Sequence, residues 1–200
     1  MATANPYEPT VVPRAALQLP CRLPVPSGFD IEDASTWPSV DGRLEYYEGA
    51  LWFMPPSGED QQEVVSDVVT ELTLWRRQHP DFVVGANEAG MKLGGDVRAA
   101  DVAVWRRTAV RGRGLRRTPP ILAVEVAGLD DEIDALRKKA AWYLTNGVEV
   151  VWLVLPETRT VLVITSSGQT EHSGDSPLPS IRALPGLAPS ASAFFCQLEA

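Results

Sequence analysis

The sequence predicts an α/β (α+β) protein in which helices flank a central mixed β-sheet. Short runs of β-branched and aliphatic residues alternate with two longer segments whose apolar residues recur at helical spacing. The segments follow the order strands, helix, strands, helix, strands, which is typical of a mixed sheet covered by helices. The second helix lies between two apolar runs, residues 121–126 and 148–155, which should therefore be parallel strands joined by a right-handed crossover.

Composition and charge limit the class of protein. The chain has 200 residues, of which 44% are hydrophobic and 22% are charged, as in an ordinary globular domain. Apolar runs are too short to span a membrane and the N-terminus lacks a signal-peptide pattern, so we expect a cytoplasmic protein without a membrane partner. With two cysteines and two histidines, any metal should be a hard cation held by oxygen atoms.

The chain begins with a segment that shows no lasting periodicity. Residues 1–36 are rich in proline and alanine, which predicts an extended N-terminal arm, and residues 37–200 are expected to form a single domain. The first predicted elements of that domain are strands at residues 43–47 and 50–53, joined by a turn at Glu48 and Gly49.

The first helix is predicted from about Ser57 to Gln78. Ser57 followed three residues later by Asp60 is typical of a capping box. Gln61 falls on the inward side, where an amide needs a hydrogen-bond partner. The apolar face of this helix consists of Val65, Val68, Leu72 and Trp75.

Two acidic residues lie inside the strands that follow. Residues 82–84 and 91–93 are predicted to form a hairpin, the next strand at residues 97–105 carries Asp101, and the strand at residues 121–126 carries Glu125. A carboxylate in such a strand is costly to desolvate unless a cation or a hydrogen-bond donor meets it.

The second helix supplies a lysine. It is predicted from Asp130 to Asn146, with Asn146 and Gly147 as its stop. Lys139 lies at the edge of its apolar face, whereas Lys138 points into solvent. The remaining elements are predicted to be a hairpin, a loop and a short closing segment, at residues 148–155 with 159–165, residues 166–180 and residues 190–198.

Basic residues collect after the Asp101 strand. The net charge of −8 weighs against tight nonspecific DNA binding, because that affinity depends on phosphate neutralisation. A local arginine-rich loop is nevertheless a candidate DNA contact, the alternative being a solvated loop. Its arginines are Arg106, Arg107, Arg111, Arg113, Arg116 and Arg117.

Asp101, Glu125 and Lys139 are the residue types that metal-dependent phosphodiester hydrolysis needs. Two carboxylates on neighbouring strands can hold Mg²⁺ or Mn²⁺, the carbonyl of Val126 can add an oxygen, and a lysine can assist the attacking water. The alternatives are an ion pair between Asp101 and an arginine, a Glu125 bonded to a tyrosine or arginine, and a Lys139 that covers an apolar seam.

Several passages together resemble the Uma2-type restriction endonuclease family of the PD-(D/E)XK nuclease superfamily. They are the glutamate strand, the lysine helix with its Gly-Val exit, and the tryptophan strand, at residues 122–126, 136–148 and 152–154. Residues 43–51 and 97–104 resemble the family's N-terminal hairpin and its metal-aspartate strand, and the likeness covers about residues 37–195. The resemblance implies a restriction-endonuclease-like core and Mg²⁺-dependent DNA cleavage.

The resemblance also implies roles for single residues. Asp101 and Glu125 fall on the acidic positions and Lys139 falls on the helix lysine, while Ala127 stands where other superfamily members carry a lysine. Gln61 replaces the family's first-helix histidine, and an amide can orient a water or a carboxylate but cannot act as a base.

Two classes of function remain open at this stage. The first is a Mg²⁺-dependent endonuclease, and the second is a catalytically inactive nuclease-fold protein that binds or regulates. The acidic charge and the missing histidine favour the second, and Ala100 and Gly128 also depart from the family's usual proline and serine. Because one site handles one phosphate, cutting both strands would favour a homodimer, although the sequence does not fix the oligomeric state.

Overall fold

The computed structural model describes residues 20–109, 114–129 and 131–198. The chain divides into two compact units, Met1–Pro56 and Ser57–Ala200. The described residues contain two α-helices, α1 (Glu59–Gln78) and α2 (Ile133–Thr145). They also contain nine strands: β1 (Cys21–Leu23), β2 (Arg43–Tyr47), β3 (Ala50–Met54), β4 (Phe82–Leu93), β5 (Asp96–Arg106), β6 (Leu122–Val126), β7 (Val150–Leu155), β8 (Thr160–Thr165) and β9 (Gly168–Ser173).

The first unit contains three antiparallel strands in the order β1–β3–β2. The hairpin of β2 and β3 is confirmed, and its turn residues Glu48 and Gly49 both adopt positive φ angles, 53° and 70°. Two consecutive left-handed residues match the right-handed twist of the flanking strands. β1 lies within the stretch predicted as an N-terminal arm, and a strand of three residues is too short to show a period in the sequence.

In the second unit, six strands form a mixed sheet in the order β4–β5–β6–β7–β8–β9. β6 and β7 are parallel, as predicted for the strands on either side of the second helix, and every other neighbouring pair is antiparallel. The predicted fold class, a mixed sheet flanked by helices, is confirmed.

The two helices cover opposite faces of this sheet. Val102 and Val124 pack with the buried residues of α1, whereas Ala103 and Ala123 pack with those of α2. Successive side chains of a strand point to opposite faces, so each central strand contributes to both cores. Within the part of the chain that the structure describes, neither helix is long and apolar enough to cross a membrane.

α1 begins differently from the prediction. Its N-cap is Gly58, which has no side chain to cap with, so the predicted capping box at Ser57 is wrong. The side-chain amide of Gln62 instead donates to the Ser57 carbonyl at 3.0 Å. Val65, predicted on the inward face, is only half-buried. The buried face consists of Val64, Val68, Leu72 and Trp75.

Residues 82–93 form one continuous strand, so the hairpin predicted within this stretch is wrong. Asn87 and Glu88 adopt positive φ angles of 57° and 60°, and the register with β5 shifts between Ala86 and Ala89. These features define a β-bulge, which inserts extra residues without ending the strand. A β-bulge and a turn both favour residues that tolerate left-handed backbone angles. The sequence pattern of this bulge therefore resembles that of a hairpin turn.

The end of the chain also departs from the prediction. β9 occupies part of the stretch predicted as loop, and its side chains are almost all exposed, so no apolar alternation marks it. The closing segment forms two short 3₁₀ turns, Ser192–Phe194 and Cys196–Leu198. Phe194 and Phe195 pack into the core beside α1 and anchor this segment there.

Gly85 on β4 provides a test of packing on the α2 side of the sheet. A Cβ atom there would lie 2.8 Å from Cζ3 of Trp105, whose ring is fully buried. We therefore expect Gly85→Ala to lower the free energy of unfolding by about 1–3 kcal/mol, as overpacked cores do. Urea denaturation measures the change. Gly95→Ala is the control, since a Cβ at Gly95 meets nothing within 4 Å; equal stability of the two variants would contradict the packing described.

Candidate active site

Asp101 and Glu125 face each other on neighbouring strands. The antiparallel pairing of β5 with β6 ends with Val102 opposite Val124, so the next pair in the same register is Asp101 with Glu125. Beyond the last paired residues, the N–H of Val126 donates a 2.7 Å hydrogen bond to Oδ2 of Asp101. The aspartate side chain therefore fixes the end of the ladder and is itself held in place by it.

Both carboxylates are buried on the face that α2 covers. Asp101 is 7% exposed and Glu125 is 4% exposed. By strand alternation, Asp101 lies on the same face as Ala103, and Glu125 on the same face as Ala123. Both alanines pack with the buried residues of α2. The sheet thus directs the two acids toward one helix.

α2 meets Glu125 with two donors. Nζ of Lys139 lies 2.9 Å from Oε2 of Glu125, and the hydroxyl of Tyr143 donates to Oε1 at 2.6 Å. Lys139 and Tyr143 are four residues apart, so they lie one above the other on the same helix face. Lys139 also donates to the carbonyl of Ala99 at 2.8 Å. Lys138, by contrast, is exposed, as predicted.

The first and last residues of α2 differ in how well the sequence predicts them. The helix begins at Ile133, later than predicted, and the predicted start at Asp130 falls outside the described residues. It ends where Asn146 and Gly147 indicate, with Gly147 at a φ of 92°. Glycine adopts this left-handed conformation without strain, which makes it a common residue after a helix end.

The electrostatics of the cluster favour an added positive charge. Burial raises the pKa of Glu125 to about 7; the charge of Lys139 opposes this rise and the charge of Asp101 adds to it. The hydrogen bonds from Tyr143 and Lys139 also favour the ionised form. With both acids ionised, two negative charges share one ammonium, so a divalent cation would lower the energy of the buried pair.

The donor set fits a hard divalent cation. Mg²⁺ typically binds one or two carboxylates and completes its shell with water and substrate phosphates. Asp101 and Glu125 would supply the carboxylates. Among the described residues, no group of three or more histidine, cysteine, aspartate or glutamate side chains is placed to hold a metal. An ion here would therefore depend on these two acids, backbone oxygens and water.

Gln61 reaches the same backbone from α1. Its Nε2 donates a 2.8 Å hydrogen bond to the carbonyl of Val126, which is the partner that an inward-facing amide requires. Val126, the third predicted metal ligand, thus binds Gln61 through its oxygen and Asp101 through its N–H. The structure therefore brings Asp101, Glu125, Lys139 and Val126 together, and Gln61 joins them through its hydrogen bond to Val126.

Part of the arginine run binds the protein itself. The guanidinium of Arg107 donates to the carbonyl of Pro80 at 2.7 Å and to that of Phe82 at 3.2 Å. The guanidinium of Arg116 lies 4.4 Å from the ring centroid of Trp105. Burial lowers the pKa of Arg116. These two arginines have structural contacts that a purely solvated loop would not show.

The other arginines divide into two groups. Arg106 and Arg117 are exposed, as is Arg107, and the guanidinium of Arg106 lies 5.5 Å from the ring centroid of Phe82; Arg111 and Arg113 lie outside the described residues. On the described surface, the exposed members of the predicted DNA-contacting run are therefore Arg106, Arg107 and Arg117.

Tyr143 is the site residue that sequence reasoning missed. The apolar pattern assigns it to the core face of α2, and the side chain is indeed fully buried. Its hydroxyl nevertheless bonds Glu125. The available signal was its spacing of four residues from Lys139, combined with the alternative of a tyrosine-bonded glutamate. The tyrosine-bonded glutamate that the sequence left open as an alternative is thus present, with Lys139 on the other oxygen.

The raised pKa of Glu125 makes stability depend on pH. Its folded-state pKa of about 7 lies above the ordinary 4.5, so the folded protein binds this proton more tightly than the unfolded chain. The resulting stability is fully present below the ordinary pKa and is lost as pH rises to about 7. We expect a loss of roughly 3 kcal/mol across that window.

Urea denaturation of the metal-free protein, with a chelator present, tests this expectation. The stability of the wild type should fall relative to that of Glu125→Gln as pH rises through the window. Glu149→Gln is the control because Glu149 is exposed, and it should follow the wild type. A difference between wild type and Glu125→Gln that stays constant with pH would contradict the assignment.

Comparison with known proteins identifies the family and the fold of the chain. A family model described as "Uma2: Putative restriction endonuclease" matches residues 31–193. No curated protein matches the chain. A solved structure described as "a putative nuclease belonging to DUF820 from Anabaena variabilis ATCC 29413" superimposes with a TM-score of 0.74 at 17% identity, covering 82% of this chain and 96% of that one. At this identity the structural likeness concerns the fold alone. The family match spans most of the chain, and the chain therefore belongs to the Uma2 restriction endonuclease family.

Proposed function

We propose that the chain is a cytoplasmic endonuclease that hydrolyses DNA phosphodiester bonds with Mg²⁺ or Mn²⁺. The observation that carries the proposal is the convergence of Asp101, Glu125 and Lys139. Two buried acids lie opposite each other on adjacent strands, and an ammonium lies 2.9 Å from one of them. Membership of a restriction endonuclease family supports a nuclease function.

Asp101 and Glu125 would hold the metal ion. When bound, the ion would neutralise phosphate charge and make a coordinated water more acidic. Asp101 is already oriented by the N–H of Val126, and Glu125 by Lys139, so neither acid has to be ordered when the ion binds. Lys139 places a positive charge beside the acids, where it can stabilise a phosphate or a deprotonated water.

Gln61 has a supporting part in this scheme. It cannot take a proton from water near neutral pH, since an amide is not a base. Its hydrogen bond to the Val126 carbonyl holds the strand segment that also bonds Asp101. Gln61 is therefore proposed to position the backbone beside the acids.

The arginine segment brings positive charge close to β5, the strand that carries Asp101. Arg116 forms a bridge with Met91 on β4, the neighbour of β5. The segment lies two strand spacings from β5, the strand that carries Asp101. This corresponds to a distance of about 10 Å. The exposed side chains of Arg117 and Arg106 are then candidates to contact DNA phosphates on either side of the reacting one.

One observation favours a second candidate, an inactive nuclease-fold protein with a binding or regulatory role. Both oxygens of Glu125 already have partners, and the Val126 carbonyl binds an amide. The acids are therefore satisfied to a considerable degree without an ion. Titration calorimetry with Mn²⁺ separates the candidates, since only a metal-dependent enzyme needs binding that is lost in Asp101→Asn.

Nicking of supercoiled plasmid in Mg²⁺ or Mn²⁺ tests catalysis. We expect Asp101→Asn, Glu125→Gln and Lys139→Met each to lower the rate at least about a hundredfold, because each removes charge that is worth several kcal/mol in the transition state. One site handles one phosphate, so nicking needs one chain, whereas we propose that cutting both strands needs a homodimer.

The matched control for this assay is Lys138→Met. Lys138 is adjacent to Lys139 but exposed, so its loss should leave the nicking rate unchanged. Circular dichroism confirms that each variant is folded, which matters because loss of Lys139 leaves Glu125 buried without its ion pair. Rates that are equal in the wild type and in all three site variants would refute the proposed activity.

The two kinds of arginine should differ in their effect on DNA binding. Arg117→Ala should weaken binding to all sequences alike and reduce the slope of log affinity against log salt by about 1, as for one phosphate contact. Arg107→Ala should mainly lower thermal stability, because its guanidinium bonds two backbone carbonyls. Fluorescence anisotropy over a salt series measures the slopes. An unchanged slope in Arg117→Ala would exclude this contact.

A further inference from the structure

Tyr143 is placed to fix the orientation of Glu125. It is fully buried on α2, and its hydroxyl donates a 2.6 Å hydrogen bond to Oε1 of Glu125. Lys139 donates to the other oxygen, Oε2, at 2.9 Å. The carboxylate therefore has one donor on each oxygen, and both donors come from one face of one helix.

Two such donors constrain the carboxylate more than one would. The terminal torsion of a glutamate is broad, so a carboxylate bound at one oxygen can still rotate. A second donor on the opposite oxygen stops this rotation. The distance from Tyr143 is in the short range expected for a hydroxyl that donates to a carboxylate, roughly 2.5–2.7 Å. The tyrosine ring packs with Leu136 and Ala140, which fixes the position of the hydroxyl in turn.

We infer that Tyr143 is a positioning residue whose hydroxyl holds the Glu125 carboxylate in the orientation that a divalent cation requires. The inference rests on the proposed function, because it takes Glu125 to be a metal ligand. Removing a hydrogen-bond partner of a metal ligand typically weakens metal affinity or activity by about 10–100-fold. A tyrosine present only for packing would have no such effect, since phenylalanine fills almost the same space.

Calorimetric titration of the full chain with Mn²⁺ tests the inference without relying on activity. Tyr143→Phe should bind Mn²⁺ at least about tenfold more weakly than the wild type. Glu125→Gln should abolish binding. Trp142→Phe is the matched control: Trp142 is the preceding residue and bonds Asp96 instead of Glu125, so this variant should keep the wild-type affinity.

A second readout separates positioning from structure. The Mn²⁺ concentration that gives half-maximal plasmid nicking should rise in Tyr143→Phe, and saturating Mn²⁺ should restore the maximal rate. A destabilised protein would lose rate at every metal concentration, which would count against the inference.

The outcomes distinguish this inference from the proposed function. Wild-type affinity in Tyr143→Phe, together with lost binding in Glu125→Gln, would overturn the role of Tyr143 and leave the metal-dependent nuclease intact. Mn²⁺ binding that does not change in Glu125→Gln, or no binding by the wild type, would overturn both.

Discussion

The burial of Glu125 in the middle of the sheet is the constraint on which the site depends. A buried carboxylate is strongly disfavoured unless hydrogen bonds and positive charge replace water. Here α2 provides both, with the ammonium of Lys139 on one oxygen and the hydroxyl of Tyr143 on the other. Because α2 connects the parallel strands β6 and β7, the chain connection itself brings these donors over the acid. The crossover helix that connects the parallel strands is therefore also the element that stabilises the buried Glu125.

The carboxylate of Asp101 is also buried, and a backbone N–H binds it. Asp101 lies at the point where β5 and β6 stop pairing, and its carboxylate binds the N–H of Val126. Gln61 binds the carbonyl of the same residue from the opposite helix. The short stretch after Glu125 is thus held from both faces of the sheet. These bonds hold the two strands together beside the two acids, while burial raises the pKa of Glu125 to about 7 and the charge of Asp101 adds to this rise.

Much of this arrangement could be predicted from local pattern. The strands bearing Asp101 and Glu125, the parallel pair around α2, and the choice of Lys139 over Lys138 all follow from periodicity, which reports burial. The long strand β4 and the edge strand β9 could not be predicted in this way. In β4, left-handed Asn87 and Glu88 imitate a turn, and β9 buries too little to carry a pattern. The hydroxyl of Tyr143 was missed because an apolar pattern records where a ring lies and not what its polar end meets.

The central claim is that Asp101 and Glu125 form one binding site for a divalent cation. A crystal structure of the protein soaked in Mn²⁺, with anomalous scattering data, tests this claim most directly. We expect an anomalous peak within coordination distance, about 2.1–2.3 Å, of oxygens from both carboxylates. A well-occupied peak elsewhere, or none between these two acids at saturating Mn²⁺, would contradict it.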